Sequence, residues 1–254
     1  MWLTIDIGNS RTKGGLFAGS ELRGVFQIPS DTNAPSEDWV RTIRAEIGRK
    51  SLSRIGIASV VPVATERAKS VLLRMTGLEP MVISPDLSLP IGLAYQTPKS
   101  LGMDRVAAAS AAWVKYKGPE ARPVIVVDAG TAVTYEVIDR TGLYRGGAIA
   151  PGPRLLAATL NHGTAQLPDI ALHLPGGVIG RDTDEAIKSG VMWGFLDSVA
   201  GMLSRIETQL EARPFVVATG GWGSLLKQQL SEIATVDPHL VLFGIRTIMS
   251  INKR

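Results

Sequence analysis

The sequence contains no cysteine. That excludes a disulfide framework, a thiolate metal site and a thiol nucleophile. Histidine is scarce, and His162, His173 and His239 share no metal-ligand spacing. Each reads as structural or exposed. There is no His-Glu-X-X-His and no Gly-X-Ser-X-Gly, so hydrolase chemistry lacks a metal or a nucleophile. No Gly-Lys-Ser/Thr step stands at P-loop spacing. Long apolar runs are missing too. The longest stretch free of Asp, Glu, Lys and Arg runs from Leu155 to Pro168 and includes Asn161, His162 and Gln166. A membrane span needs about 18 apolar residues. The opening Met-Trp-Leu-Thr-Ile-Asp has no basic leader, so the expectation is a cytoplasmic protein with no membrane segment. Aromatic residues make up 6% and the basic residues are scattered. A nucleic-acid groove would interleave the two along a stripe, so nucleic acid is not an expected partner. The net charge of +4 suits a field that steers small anions.

What is present describes a folded α/β chain. Its 254 residues are 45% hydrophobic and 20% charged, ordinary values for a globular protein of one or two domains. Trp2 to Ile7 reads as an apolar strand ending at Gly8-Asn9-Ser10. Strands follow over Thr12 to Phe17 and Leu22 to Ile28. Ser36 to Arg49 has Trp39, Ile43 and Ile47 on one helical face, with Ser36 as its N-cap. A strand over Ile55 to Val61, a helix over Ala64 to Met75 and a strand over Met81 to Ser84 come next. Asp86 to Leu101 reads as a long loop, and Asp104 to Tyr116 as an Ala-rich helix. The pattern then restarts: strand Pro123 to Val127, turn Asp128-Ala129-Gly130-Thr131, strands Ala132 to Ile138 and Tyr144 to Ile149. Ile187, Val191, Phe195, Val199, Met202, Ile206 and Leu210 mark one long helix from Thr183. Phe215 to Ala218 is a strand, and His239 to Ile251 a closing helix. The repeat places a boundary near residue 117, giving halves 1–117 and 118–254 with a cleft expected between them.

Four segments carry chemistry. In Asp6-Ile7-Gly8-Asn9-Ser10-Arg11-Thr12-Lys13, Gly8 permits close backbone approach, and backbone N–H groups with Asn9 and Ser10 can cradle phosphate. Lys13 adds a point charge, and Asp6 can hold Mg²⁺ through water. Taken alone the segment also reads as a plain hairpin. Asp128-Ala129-Gly130-Thr131 repeats the design, with Thr131 able to bond a terminal phosphate. Thr219-Gly220-Gly221 suits a backbone lying against a flat ligand such as adenine, or an ordinary strand-to-helix turn. Gly102-Met103-Asp104-Arg105 opens a helix. There Asp104 is either an N-cap or a general base beside a cation. A carboxylate base suffices for phosphoryl transfer, where positioning and charge neutralisation dominate.

In this order the segments resemble the acetate and sugar kinase/Hsp70/actin superfamily, and more closely the type III pantothenate kinases. The likeness also takes in Tyr95, Gly146-Gly147-Ala148-Ile149-Ala150-Pro151-Gly152, Thr164-Ala165-Gln166-Leu167-Pro168 and Thr183. It implies two similar actin-like (ribonuclease H-like) α/β halves with an ATP cleft between them. It implies ATP-dependent phosphorylation of pantothenate, the first step of coenzyme A synthesis. Asp104 would be the proton acceptor. Tyr95, Gly102, Met103, Asp104, Arg105 and Thr183 would meet the substrate, Thr183 from the partner chain of a homodimer. Asp6, Ile7, Gly8, Asn9, Ser10, Arg11, Thr12, Lys13 and Thr131 would bind ATP, with Mg²⁺ held by Asp6. Asp128 would help hold a monovalent cation, K⁺ or NH₄⁺. The sequence departs from the family at Glu136, where Asp is usual, and no role carries over to it.

Two other readings remain open from sequence. One is a kinase for another small hydroxylated substrate, which the Tyr95 and Gly102-to-Arg105 match disfavours. The other is a non-catalytic regulatory homologue, which retention of Asp6, Lys13, Asp104, Arg105 and Asp128 disfavours.

Overall fold

The computed structural model describes residues 1–29, 37–48 and 50–252. The chain divides into two compact units, each considered by itself. The first comprises Met1–Lys115, Gly142–Tyr144 and His239–Arg254; the second comprises Tyr116–Thr141 and Arg145–Pro238.

In the first unit, strands β1 (Trp2–Ile7), β2 (Arg11–Ala18) and β3 (Glu21–Pro29) cover the three segments read as strands and form an antiparallel meander. Helix α1 (Glu37–Ile47) buries Trp39 and Ile43; Ser36 and Arg49 lie outside the described residues. After it come β4 (Arg54–Ser59), α2 (Pro62–Thr76) and β5 (Met81–Val82), giving sheet order β3-β2-β1-β4-β5 with β4 and β5 parallel to β1. Leu3, Ile5 and Ile7 point to one face, where they join Ile43, Ile57 and Leu72 in a buried cluster. The other face carries Thr4, Asp6 and Lys13, since directly paired residues share a face. The segment expected to be an extended loop contains a two-residue strand, β6 (Gly92–Leu93), which pairs with Leu143 and Tyr144, and a 3₁₀ turn at Pro98–Ser100. Helix α3 (Met103–Tyr116) follows.

In the second unit, β7 (Val124–Ala129), β8 (Ala132–Ile138), β9 (Leu143–Pro151, from Arg145 on), β10 (Phe215–Thr219) and β11 (Thr235–Val236) form a mixed sheet ordered β11-β10-β7-β8-β9. The helices are α4 (Pro153–Gly163), α5 (Thr183–Leu210) and α6 (Gly223–Gln229). The predicted stripe of α5 is buried at Ile187, Val191, Phe195, Val199 and Ile206, and from Phe195 onward it packs on Ile125, Val127 and Val133. Tyr116 opens this unit. Its hydroxyl donates to Asp237 Oδ2 at 3.1 Å, and its ring stacks 5.0 Å from Phe215. Burial first, and then the Asp237 carboxylate, push the Tyr116 hydroxyl up to about 12.

The C-terminal helix α7 (Leu240–Ile251) groups with the first unit, whereas the boundary at residue 117 put it with the second half. Its place is set by tertiary contacts. A side chain at Gly56 would come within 2.8 Å of Ile245. The Arg54 guanidinium donates to the Met249 and Asn252 carbonyls at 2.5 Å and lies 4.8 Å over the Trp2 ring. A cation closing the last carbonyls of a helix satisfies its orphan acceptors and complements its dipole. No helix among the described residues is long and apolar enough to cross a membrane.

Candidate active site

The first unit draws two of the four sequence segments together. Asp6 lies opposite Lys13 in the β1–β2 ladder. The turn between them closes when Gly8 N–H donates to the Arg11 carbonyl at 3.1 Å. Asn9, Ser10 and Arg11 are exposed around it, and Asp6 and Lys13 are half-buried. Ile7 and Thr12 are buried at 4% and 2% exposure, so only their backbone groups can face a ligand.

Beyond β4, Val60 N–H donates to the Ile7 carbonyl at 3.3 Å. A side chain at Gly102 would sit 3.4 Å from Val60 Cγ1. Val60 therefore carries the start of α3 to the strand end that bears Asp6. No motif marked Val60 in the sequence, because a valine joining two backbones has no local signature.

Helix α3 begins at Met103, so Asp104 stands in the first turn and not at the N-cap. Its Oδ1 accepts from Arg105 N–H at 2.8 Å. Gly102 makes room for it: a Cβ there would lie 2.5 Å from Asp104 Oδ1. Burial pushes the Asp104 carboxyl above its ordinary value of 3.8, opposed by the Arg105 N–H and the Arg105 charge. A half-buried carboxylate with a raised proton affinity, next to a cation, is equipped to take a proton from a hydroxyl. Met103 is buried and Arg105 half-buried. Tyr95, also half-buried, follows β6 with its ring 6.1 Å from Tyr144.

The second unit gathers a different set. Asp128, next to last in β7, lies opposite Thr134, and Gly130 N–H donates to Ala132 O at 2.9 Å. Gly152, at the start of α4, donates to the Thr131 carbonyl at 3.0 Å, and Trp222 N–H to the Ala129 carbonyl at 2.9 Å. Gly220, at φ 82°, has no room for a side chain: a Cβ would lie 2.5 Å from both Ala129 O and Asp128 Oδ1. Carboxylate and carbonyl oxygens thus crowd one turn, a donor set that suits a hard cation. The segment read as an adenine platform packs its Gly220 against this turn. Thr131 is exposed.

Thr183 heads α5 and is exposed. Its helix is capped by its neighbours: Asp182 accepts from Glu185 N–H at 2.8 Å, and Glu185 Oε2 accepts from Arg181 N–H at 2.9 Å. Capping therefore does not account for the threonine. A cavity of about 220 Å³ adjoins this helix start, lined by His173, Ile179, Glu185 and Lys188 among others.

Against known proteins, a family model described as type III pantothenate kinase matches residues 2–205. A type III pantothenate kinase from Moorella thermoacetica is 33% identical over 257 residues, covering 99% of this chain and all of the relative. One from Thermomicrobium roseum is 36% identical over 254 residues, covering 97% of this chain and 96% of the relative. Among solved structures, a Baf family transcriptional activator from Campylobacter jejuni superimposes with a TM-score of 0.58 at 22% identity, covering 98% of this chain and 97% of that one. A ROK family glucokinase from Streptomyces griseus gives 0.51 at 15% identity, covering 97% and 98%. These likenesses show an α/β fold shared with sugar kinases. The match over residues 2–205 and the full-length relatives establish that the chain belongs to the type III pantothenate kinase family.

Proposed function

We propose that the chain transfers the terminal phosphoryl group of ATP to the primary hydroxyl of pantothenate, and that the residues gathered around Asp6 and Asp104 carry the reaction. One observation supports the assignment most strongly. Val60 joins the end of the Asp6 strand to the Gly102–Arg105 helix start, so a cation-bearing turn and a half-buried carboxylate sit in one unit.

The hydroxyl proton passes to an Asp104 carboxylate oxygen as the hydroxyl oxygen bonds to the γ-phosphorus. The bond to the β,γ-bridging oxygen breaks and ADP departs. Lys13 and the N–H groups of the Gly8 turn take up phosphate charge, which is most of what such a transfer requires. Asp6, half-buried near a strand end, would hold the Mg²⁺ that accompanies ATP through water, and that ion would neutralise phosphate charge. Arg105, Gly102, Met103 and Tyr95 contact pantothenate, whose carboxylate calls for a cation such as Arg105. The oxygens around Asp128 would hold K⁺ or NH₄⁺. The reaction takes place in the cytoplasm.

The working form is a homodimer in which Thr183 reaches the partner's substrate. Supporting this, α5 has exposed glycines at Gly190, Gly194 and Gly201 with open space around them, and Val178 and Ile179 nearby are 64% and 89% exposed. A monomer by light scattering at micromolar concentration that is still fully active would contradict it. The reaction itself is tested by ADP release from purified protein with ATP, Mg²⁺, K⁺ and pantothenate. Release that is independent of pantothenate would remove the substrate assignment.

A further inference from the structure

The β1–β2–β3 ladder aligns three side chains on one face. Asp6 pairs with Lys13, and Lys13 pairs with Gln27. Arg11, two residues before Lys13 on the same strand, shares that face. With its amide oriented to match donors to acceptors, Gln27 Oε1 accepts from Arg11 Nε at 3.2 Å and from Arg11 Nη1 at 2.5 Å. The Arg11 backbone is fixed as well, because its carbonyl closes the Gly8 turn at 3.1 Å. Arg11 is thus held at both ends of its side chain, beside the turn and on the face that carries Lys13.

From this geometry we infer that Gln27 is a positioning residue for nucleotide binding. It fixes the Arg11 guanidinium so that two cations, Arg11 and Lys13, meet the phosphates of ATP together. The inference rests on the proposed use of the Gly8 turn by ATP. Three physical points favour it. A guanidinium is a planar fork whose remaining N–H groups can engage phosphate while one edge is occupied. An arginine free in solution loses much rotamer freedom on binding, and a partner that orders it beforehand removes that cost from binding. The partner is also a neutral amide: a carboxylate at position 27 would hold Arg11 equally well but cancel the charge that attracts phosphate. Gln27 and Arg11 are both exposed, so the bond between them adds little to folding.

The test is a double-mutant cycle read by calorimetric titration with ATP and Mg²⁺, on the wild type, Gln27→Leu, Arg11→Gln and the double variant. Gln27→Leu is expected to weaken ATP binding about three- to tenfold with an unchanged melting temperature, and Arg11→Gln about tenfold. The double variant is expected to match Arg11→Gln, because Gln27 acts only through Arg11. Wild-type affinity in Gln27→Leu, or the same loss from Gln27→Leu when Arg11 is already replaced, overturns the inference. Wild-type protein that binds ATP but shows no pantothenate-dependent ADP release would sink the substrate assignment alone. Wild-type protein that does not bind ATP would overturn both.

Discussion

The two Asp-X-Gly turns share a topology and differ in chemistry. In the first, Asp6 faces Lys13, and Asn9, Ser10 and Arg11 stand exposed around the bend. Beside the Asp6 carboxylate it offers N–H groups and two cations, Arg11 and Lys13, which suit anions. In the second, Asp128 faces Thr134, and the backbones at Gly152 and Gly220 close over the bend. It offers a carboxylate and carbonyl oxygens with no basic residue in the turn, a surface for a cation. One strand-turn-strand arrangement, used twice, differs in the residue opposite the aspartate and in what packs over the bend. The proposed phosphate contact at the first turn and the proposed cation site at the second use this difference.

In the proposed mechanism neither turn carries the base, and replacing Asp104 gives the largest expected effect. Asp104→Asn keeps an acceptor for Arg105 N–H but cannot take a proton. Turnover should fall about 10²-fold or more while ATP still binds. The sign of the stability effect follows from the raised proton affinity of Asp104. A carboxyl whose folded-state value lies above its unfolded value stabilises the fold at low pH and loses that contribution as pH rises through the folded value. At neutral pH the neutral asparagine should therefore melt no lower than the wild type. In the wild type, the acid limb of kcat/KM should lie above the ordinary 3.8 of an aspartate and disappear in the variant. Near-normal turnover in Asp104→Asn would leave the transfer without its proton acceptor.

Next in size is the first turn. Lys13→Ala should weaken ATP binding about tenfold or more by calorimetry without lowering the melting temperature. Unchanged ATP affinity would remove this turn from the phosphate site. Smaller again is the contrast in packing. Gly220→Ala forces a side chain into a left-handed backbone and against Asp128 Oδ1, which should cost about 1–3 kcal/mol in denaturant unfolding. At Gly8 a Cβ would have 3.2 Å to the Arg11 carbonyl, so Gly8→Ala should cost less than about 1 kcal/mol. Equal losses at the two glycines would mean the bends are not packed differently.

Much of this was legible because it is periodic. The apolar runs on either side of the two Asp-X-Gly turns located β1, β2, β7 and β8, and the stripe located α5, from the sequence. The two-residue strands β6 and β11 and the short helix α6 span too few residues to show a period. The allegiance of α7 was not legible, because it depends on Gly56 leaving space and Arg54 reaching two distant carbonyls. Asp104 was visible as a carboxylate at a helix start. That it follows Met103 into the helix, and that Gly102 is bare so its oxygen fits, required the backbone path. Val60 and Gln27 gave no signal, since each acts through a partner on another strand or turn.

The central claim is the division of labour between the turns, and a cation titration tests it most directly. Pantothenate-dependent ADP release should be measured against K⁺, NH₄⁺ and Na⁺ at matched ionic strength, for the wild type, Asp128→Asn and Lys13→Ala. The account predicts activation of the wild type by K⁺ and NH₄⁺ but poorly by Na⁺, a K⁺ response shifted to higher concentration in Asp128→Asn, and an unshifted one in Lys13→Ala. Equal rates in all three salts, or a K⁺ response that moves with Lys13 and not with Asp128, would contradict it.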